Sequence, residues 1–556
     1  MSRPETLAEL VDWAAERHAG RVAMRWPAGA DWRERSYAEL AEEVHAVARG
    51  LVAAGVRPGD RVGLLCETRP EWTVFDLAVA RVGAVCVPVY PTNSAEECAW
   101  VLSDSGARLL FAETAAHAAT IAGVRDRLPE LATVVTLEPA GTELTLAELV
   151  DRGRAASSPA LPEAARVPDD PATIVYTSGT TGPPKGCVLT HRNWRCSLDA
   201  IERVTTLGEG DTVYLYLPLA HLFARMVQLT TFELGATLVY FGGDISDVVA
   251  ELGRVRPTHL PSVPRLFEKA YGLVTGRAAA AGVPIERVRE LVRAALGGRV
   301  REALTGAAPI AKEILEFFAE CGVPIYEAYG MTESTAVISA NAPGAVRFGT
   351  VGRPLPGIEV RIAEDGEVLA RGDNVFAGYH DDPAATREAI VDGWLHTGDL
   401  GELDADGYLT ITGRKKDIII TAGGKNLTPA NLENDLRQSR WIAHAVMLGD
   451  RRPFPVALIT LDPEEVLPWA RERGLPEDLG ELAGHPDVRA LVQEVLDTAN
   501  ARYAPPERIR DFAVLGTEFS VDGGELTPSL KMRRAVVREK YADVVDALYA
   551  AHAGKF

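Results

Sequence analysis

A chain of 556 residues is too long for a single hydrophobic core, so a large domain and at least one smaller one are expected. Its formal charge of −20 argues against a nucleic-acid partner, which needs a basic face, while leaving room for a nucleotide held by a few local cations. With 47% hydrophobic and 24% charged residues the composition is that of an ordinary globular enzyme, and no apolar run reaches the roughly 18 residues that would span a bilayer. Peripheral membrane contact stays open, although no polybasic cluster or basic amphipathic helix is there to carry it. Six cysteines (Cys66, Cys86, Cys98, Cys187, Cys196 and Cys321) in apolar or mixed surroundings, without CxxC spacing, point to reduced, mostly buried thiols and a cytoplasmic setting.

In chain order, residues 1–20 have amphipathic helical spacing with acidic residues and lack the apolar core of a secretory signal. Roughly the first 150 residues then alternate helical stretches with β-rich runs such as 62–66 and 84–90, the pattern of an α/β fold with largely parallel sheets. Residues 155–171, rich in Pro, Ala and charge, read as a surface linker. Next comes YTSGTTGPPKG at 176–186. Its hydroxyls (Thr177, Ser178, Thr180, Thr181) and glycines (Gly179, Gly182, Gly186) supply donors and a pliable backbone to wrap a polyphosphate, and Lys185 adds a point charge. Apolar runs on both sides suggest strand–loop–strand, and the lysine is followed by glycine, so this is not a Walker A loop.

Residues 326–333, YEAYGMTE, are the second candidate segment. Tyr329 can stack on a purine, Gly330 lets the backbone come close, Thr332 can donate to a phosphate, and Glu333 offers a hard oxygen to Mg²⁺. Beyond about residue 345, short strands such as 360–362 and 367–370 indicate a small, mostly antiparallel subdomain. In GWLHTGDLG (393–401), Asp399 is expected in a Gly-flanked turn where its carboxylate could accept both ribose hydroxyls. Arg414 follows 15 residues later as a candidate for a second ribose or phosphate contact. The charged break at 413–417 is the expected boundary between 1–412 and 418–556, and the clearest helix beyond it starts at Pro486, with Val488, Leu491, Val492, Val495, Leu496 and Ala499 on one face.

These motifs, in this order, resemble the adenylate-forming superfamily of acyl-CoA synthetases, luciferases and peptide-synthetase adenylation domains, from roughly residue 30 to the end of the chain. LPLAHLFARM (217–226) and LTGAAPIAKEILEF (304–317) bring the resemblance nearest to long-chain and bubblegum-type fatty acyl-CoA synthetases. The resemblance implies a large N-terminal domain of two α/β subdomains plus a small β-barrel-like subdomain, and a small mobile C-terminal α/β domain. It implies an ATP site that takes in Gly306, Ala307, Ala308, Glu327, Ala328 and Met331 besides the residues above, and it places His221 near the acyl carboxylate. It singles out Lys531, in GELTPSLKMRR, as the C-terminal catalytic lysine, with Leu530 where the usual pattern has glycine. It also implies a hinge at Lys416 and Asp417, and a pantetheine channel lined by Gly423 and Gly424 with Lys425 near the CoA phosphates.

The reaction so implied is activation of a medium- to long-chain fatty acid by ATP and Mg²⁺ to an acyl-AMP, followed by transfer to CoA. A secondary-metabolism enzyme would carry the same motifs while activating an unusual acid, or even nitrite in a diazotase-type reaction, and passing it to an acyl carrier protein or an amine. No acidic residue stands where amino-acid-activating relatives hold an α-amine, which favours a carboxylic acid without one. A silent nucleotide-binding scaffold is disfavoured, because Lys185, Glu333 and Lys531 are all present.

Overall fold

The computed structural model describes residues 3–29, 31–141, 144–155, 160–161, 167–177, 183–243, 247–281, 283–422, 425–527 and 531–552. Most of the expected linker therefore lies outside the described residues. The strands Arg61–Leu65, Val85–Val89 and Leu109–Ala112 run parallel at the centre of an eight-stranded sheet. Both faces of that sheet are covered, which is why these runs are almost continuously apolar. Strands Thr212–Leu215, Thr237–Tyr240, His259–Ser262, Glu302–Thr305 and Ile325–Tyr329 form the parallel part of a second, nine-stranded sheet. Strand Val22–Ala28 joins that second sheet by parallel pairing with Thr237–Tyr240, so the start of the chain is built into the later α/β unit.

The amphipathic start is helical as expected, with helix Leu10–His18 burying Leu10, Val11, Trp13 and Ala14. One core contact ties the two sheets together. Arg225, in helix Leu222–Glu233, forks onto Asp76 of helix Pro70–Val82 through Nε (3.0 Å) and Nη2 (2.7 Å), and Nη1 donates to Thr173 (2.6 Å). Trp194 stacks on the guanidinium at 4.7 Å, and both charged side chains are almost wholly buried.

The short strands Glu359–Ile362, Glu367–Arg371, Ile390–Val391, Trp394–Leu403 and Leu409–Arg414 form a five-stranded antiparallel sheet. After residue 417 comes a compact α/β unit: strands Ile442–Leu448, Val456–Leu461 and Asp511–Leu515 form its sheet, and helices Pro429–Arg437, Pro463–Glu472 and Pro486–Asn500 each carry proline at their start. The last buries Val488, Val492, Leu496 and Ala499 on one face, at the expected spacing. This unit meets the rest of the chain through ion pairs of Arg265 with Asp462 and of Lys269 with Glu464. Among the described residues no helix is long and apolar enough to cross a membrane.

Candidate active site

The two strands expected on either side are present: Pro171–Thr177 and Lys185–Thr190 pair antiparallel, with Thr177 opposite Lys185. Between them, Ser178, Gly179, Thr180, Thr181 and Gly182 lie outside the described residues. Lys185, the first residue of the second strand, lies 5.1 Å from the ring centroid of Tyr379 and 3.9 Å from Asp382. The two-residue strand Gly378–Tyr379 pairs with Lys185–Thr190 at Val188 and Cys187, which brings Tyr379 beside Lys185.

Strand Ile325–Tyr329 ends at Gly330 and the chain turns into a short 3₁₀ segment, Thr332–Ser334. A Cβ at Gly330 would come within 2.2 Å of the Ala336 carbonyl oxygen, so this glycine is required by the chain's own return path, not by a ligand. Thr335 and Ala336 take positive φ (50° and 76°) to make that return. Asn374 clamps the turn by donating to the carbonyls of Ser334 (3.2 Å) and Val337 (2.9 Å). The result is a buried Glu333, where a solvated strand-end glutamate would be the commonplace outcome. Its Oε1 accepts from the Tyr379 hydroxyl at 2.8 Å, and no described residue donates to Oε2. A carboxylate oxygen left free in this way suits a hard cation such as Mg²⁺.

Asp399 does not lie in a turn. It stands inside strand Trp394–Leu403, opposite Arg414. The glycines misled: Gly398 takes φ 71° and the register slips after Leu400, so the strand bends without ending. The buried carboxylate takes Tyr329 Oη on Oδ2 (2.7 Å) and Arg414 Nε on Oδ1 (2.7 Å), leaving each oxygen a second lone pair for a hydroxyl donor.

Lys531, from the C-terminal unit, lies within electrostatic reach of Arg414, Glu333 and Asp399. Its backbone is fixed by bonds with Thr527 at 2.8 and 3.0 Å, beside a bridge that pairs Leu526 with Met532. Solvent reaches the side chain, yet protein crowds it on most sides. The crowding pulls its pKa below the ordinary lysine range and Arg414 adds to this, while Glu333 and Asp399 act in the opposite direction. His221 caps helix Leu222–Glu233, its Nδ1 accepting from the Phe223 amide at 3.2 Å. Burial, aided by Lys531, brings its pKa down to about 4, so near neutral pH the ring is uncharged and its proton sits on Nε2.

Glu327 is buried beside the Ile310 turn, and burial pushes its carboxyl up to about 8. Ala328 is half-buried and pairs with Ala340. Met331 donates its amide to Ser334 Oγ at 3.0 Å, and Thr332 is half-buried at the start of the 3₁₀ segment. A Cβ at Gly306 would lie 3.0 Å from the Ala328 oxygen, and Ala307, with φ 67°, is in a backbone state that costs an L-residue about 1–2 kcal/mol. Ala307 and Ala308 are exposed. Gly423 and Gly424 lie outside the described residues, and Lys425 pairs with Glu507 at 3.4 Å, in the C-terminal unit and apart from this cluster. Lys416 and Asp417 fall in the 3₁₀ segment Lys415–Asp417 directly after Arg414.

Tyr379 and Asn374 escaped the sequence reading: Tyr379 reaches Glu333 across 46 residues, through pairing of a strand too short to show periodicity.

A cleft between an α/β body and a small α/β cap, with a free carboxylate oxygen, a hydroxyl-accepting aspartate and converging cations, is the site of a nucleotide-dependent enzyme. The AMP-binding enzyme family model matches residues 11–380, and the AMP-binding enzyme C-terminal domain model matches 416–553. The chain belongs to the AMP-binding enzyme family. It is 41% identical to the Long-chain-fatty-acid–CoA ligase FadD15 of Mycobacterium bovis, over 93% of this chain and 92% of that one. It is 32% identical to the human Long-chain-fatty-acid–CoA ligase 1, over 93% of this chain and 82% of the relative. In fold it matches the adenylation domain of a carboxylate reductase from Mycobacterium chelonae, with a TM-score of 0.85, 23% identity, and coverage of 99% and 92%.

Proposed function

We propose that the chain is an AMP-forming fatty acid–CoA ligase that converts a medium- to long-chain acid, ATP and CoA into acyl-CoA, AMP and pyrophosphate by way of an acyl-adenylate. The observation that carries this reading is the meeting of Lys531 with Glu333, Asp399 and Arg414 in one cleft, supported by the named activity of relatives at about 40% identity.

Activation brings a carboxylate against the α-phosphate of ATP, and two anions must be held together while a third leaves. Lys531 offsets charge at the attacking carboxylate and the α-phosphate, and Lys185 does so at the departing pyrophosphate. Asp399, held in place by Tyr329 and Arg414, takes the ribose hydroxyls. Glu333 would hold Mg²⁺, which supplies charge neutralisation at the phosphates when bound. His221, neutral, offers its Nε2 proton to the acyl carboxylate.

For thioester formation we place a hinge at 413–417, between domains 1–412 and 418–556. Residues two apart there are anchored to different bodies: Lys415 bonds to Asp365 (2.6 Å) and Glu367 (2.9 Å), while Asp417 lies 3.9 Å from Arg534. Rotation would break the Arg265–Asp462 and Lys269–Glu464 pairs, withdraw Lys531 and bring the 421–429 segment with Gly423, Gly424 and Lys425 toward the site. We also assign the protein to the cytoplasm, an assignment that rests on six cysteines all present as free thiols.

The test is pyrophosphate release across fatty acids of graded length, aromatic acids, amino acids and nitrite, with and without CoA. Saturable release with fatty acids, yielding acyl-CoA, is expected. Silence with every fatty acid, and release with nitrite or an unusual acid, would move the enzyme to specialised metabolism.

A further inference from the structure

Tyr379 stands between the two charged groups that the ATP half of the reaction needs, and its own placement is tightly determined. Its amide donates to Thr386 Oγ1 at 2.9 Å, the next amide, of His380, donates to the Gly186 carbonyl at 2.7 Å, and Phe376 packs edge-on to its ring at 4.9 Å. The preceding Gly378 has φ 140°, and a Cβ there would lie 2.6 Å from Thr386 Cγ2. The ring is therefore held against the Lys185–Thr190 strand with little freedom to turn.

The phenol makes two unlike contacts. Its hydroxyl donates to Glu333 Oε1 at 2.8 Å, and its ring centroid lies 5.1 Å from the Lys185 ammonium. We propose that Tyr379 is a positioning residue for the ATP half-reaction, its hydroxyl selecting which oxygen of Glu333 stays free for the divalent cation and its ring holding the Lys185 ammonium ready for phosphate. This rests on the reading of Glu333 and Lys185 given above. An unrestrained carboxylate presents two equivalent oxygens and rotates between them. With Oε1 engaged by an O–H donor, negative charge and lone pairs remain for a cation at Oε2. The ring suits the lysine for a complementary reason: a π face attracts the ammonium without neutralising it, and Asp382 at 3.9 Å is too distant to hold it as a hydrogen-bonded pair. Burial, and Glu333 after it, keep the phenol protonated and so able to donate.

The full-length variants Tyr379→Phe and Tyr379→Leu separate the two contacts, with melting temperature as the control for folding. Binding of α,β-methylene-ATP is measured by calorimetry with Mg²⁺ and with EDTA, alongside the Mg²⁺ dependence of pyrophosphate release. Tyr379→Phe is expected to raise the half-saturating Mg²⁺ concentration about fivefold and to leave analogue binding in EDTA unchanged. Tyr379→Leu is expected in addition to weaken binding in EDTA about threefold and to raise the KM for ATP. If Tyr379→Leu melts early, Tyr379→Phe, which removes a single hydroxyl, decides alone. Wild-type Mg²⁺ dependence in Tyr379→Phe, with a clear shift in Glu333→Gln, would overturn this inference and leave the metal assignment standing. No shift in either variant would overturn both.

Discussion

The chemistry of His221 follows from its position as much as from its type. By accepting the Phe223 amide on Nδ1 it closes the start of a helix and fixes its own tautomer, so that one proton remains on Nε2. Its folded pKa of about 4 lies below the ordinary 6.5, so between those values the unfolded chain binds a proton that the folded chain refuses. The stability it contributes is complete above pH 6.5 and is lost as pH falls toward 4. Half-buried His444, also brought down to about 4 by desolvation, acts in the same direction. Urea unfolding at pH 7.5, 6 and 5 should show falling stability, and His221→Asn, which keeps a capping oxygen but cannot titrate, should flatten part of the slope. An identical pH dependence in the two proteins would contradict this account.

Helix Leu222–Glu233 carries His221 at its tip, and the fork from Arg225 to Asp76 and Thr173 locks that helix to helix Pro70–Val82 and strand Pro171–Thr177. The pair's worth lies in register between the two sheets, because its Coulomb gain is largely spent on desolvation. Asp76→Ala leaves a guanidinium buried without its partner and should cost about 3–5 kcal/mol in urea unfolding, while Arg225→Met in the same chain should recover a large part of it. A loss below about 1 kcal/mol for Asp76→Ala would show that the buried charge finds another partner. Elements whose signal is local were legible from residue order. The paired strands Pro171–Thr177 and Lys185–Thr190, the helix after Pro486 and the short antiparallel strands beyond 345 each carry periodicity or turn residues within one window. The bend at Asp399 was misread because glycines flanking an aspartate signal a turn equally well when a strand merely kinks.

At the scale of the whole molecule, the parts hidden from the sequence are those made by distant pairing. Val22–Ala28 joins a sheet more than 200 residues away, Tyr379 reaches Glu333 through a two-residue strand, and Arg265 meets Asp462 only once two bodies are docked. No window of sequence contains both partners of any of these. Lys531 is the sharpest case: a lysine near a chain end has no local signature, and the family resemblance alone singles it out, while the fold brings it within electrostatic reach of Arg414, Glu333 and Asp399. On the function proposed above, the docked arrangement serves adenylate formation, and the same lysine would have no task after the proposed rotation. The most direct measurement is therefore Lys531→Ala assayed in two halves, as fatty-acid-dependent pyrophosphate release from ATP and as CoA attack on supplied acyl-AMP. The account predicts a loss of about a hundredfold or more in the first with the second near wild type. An equal loss in both halves would contradict it.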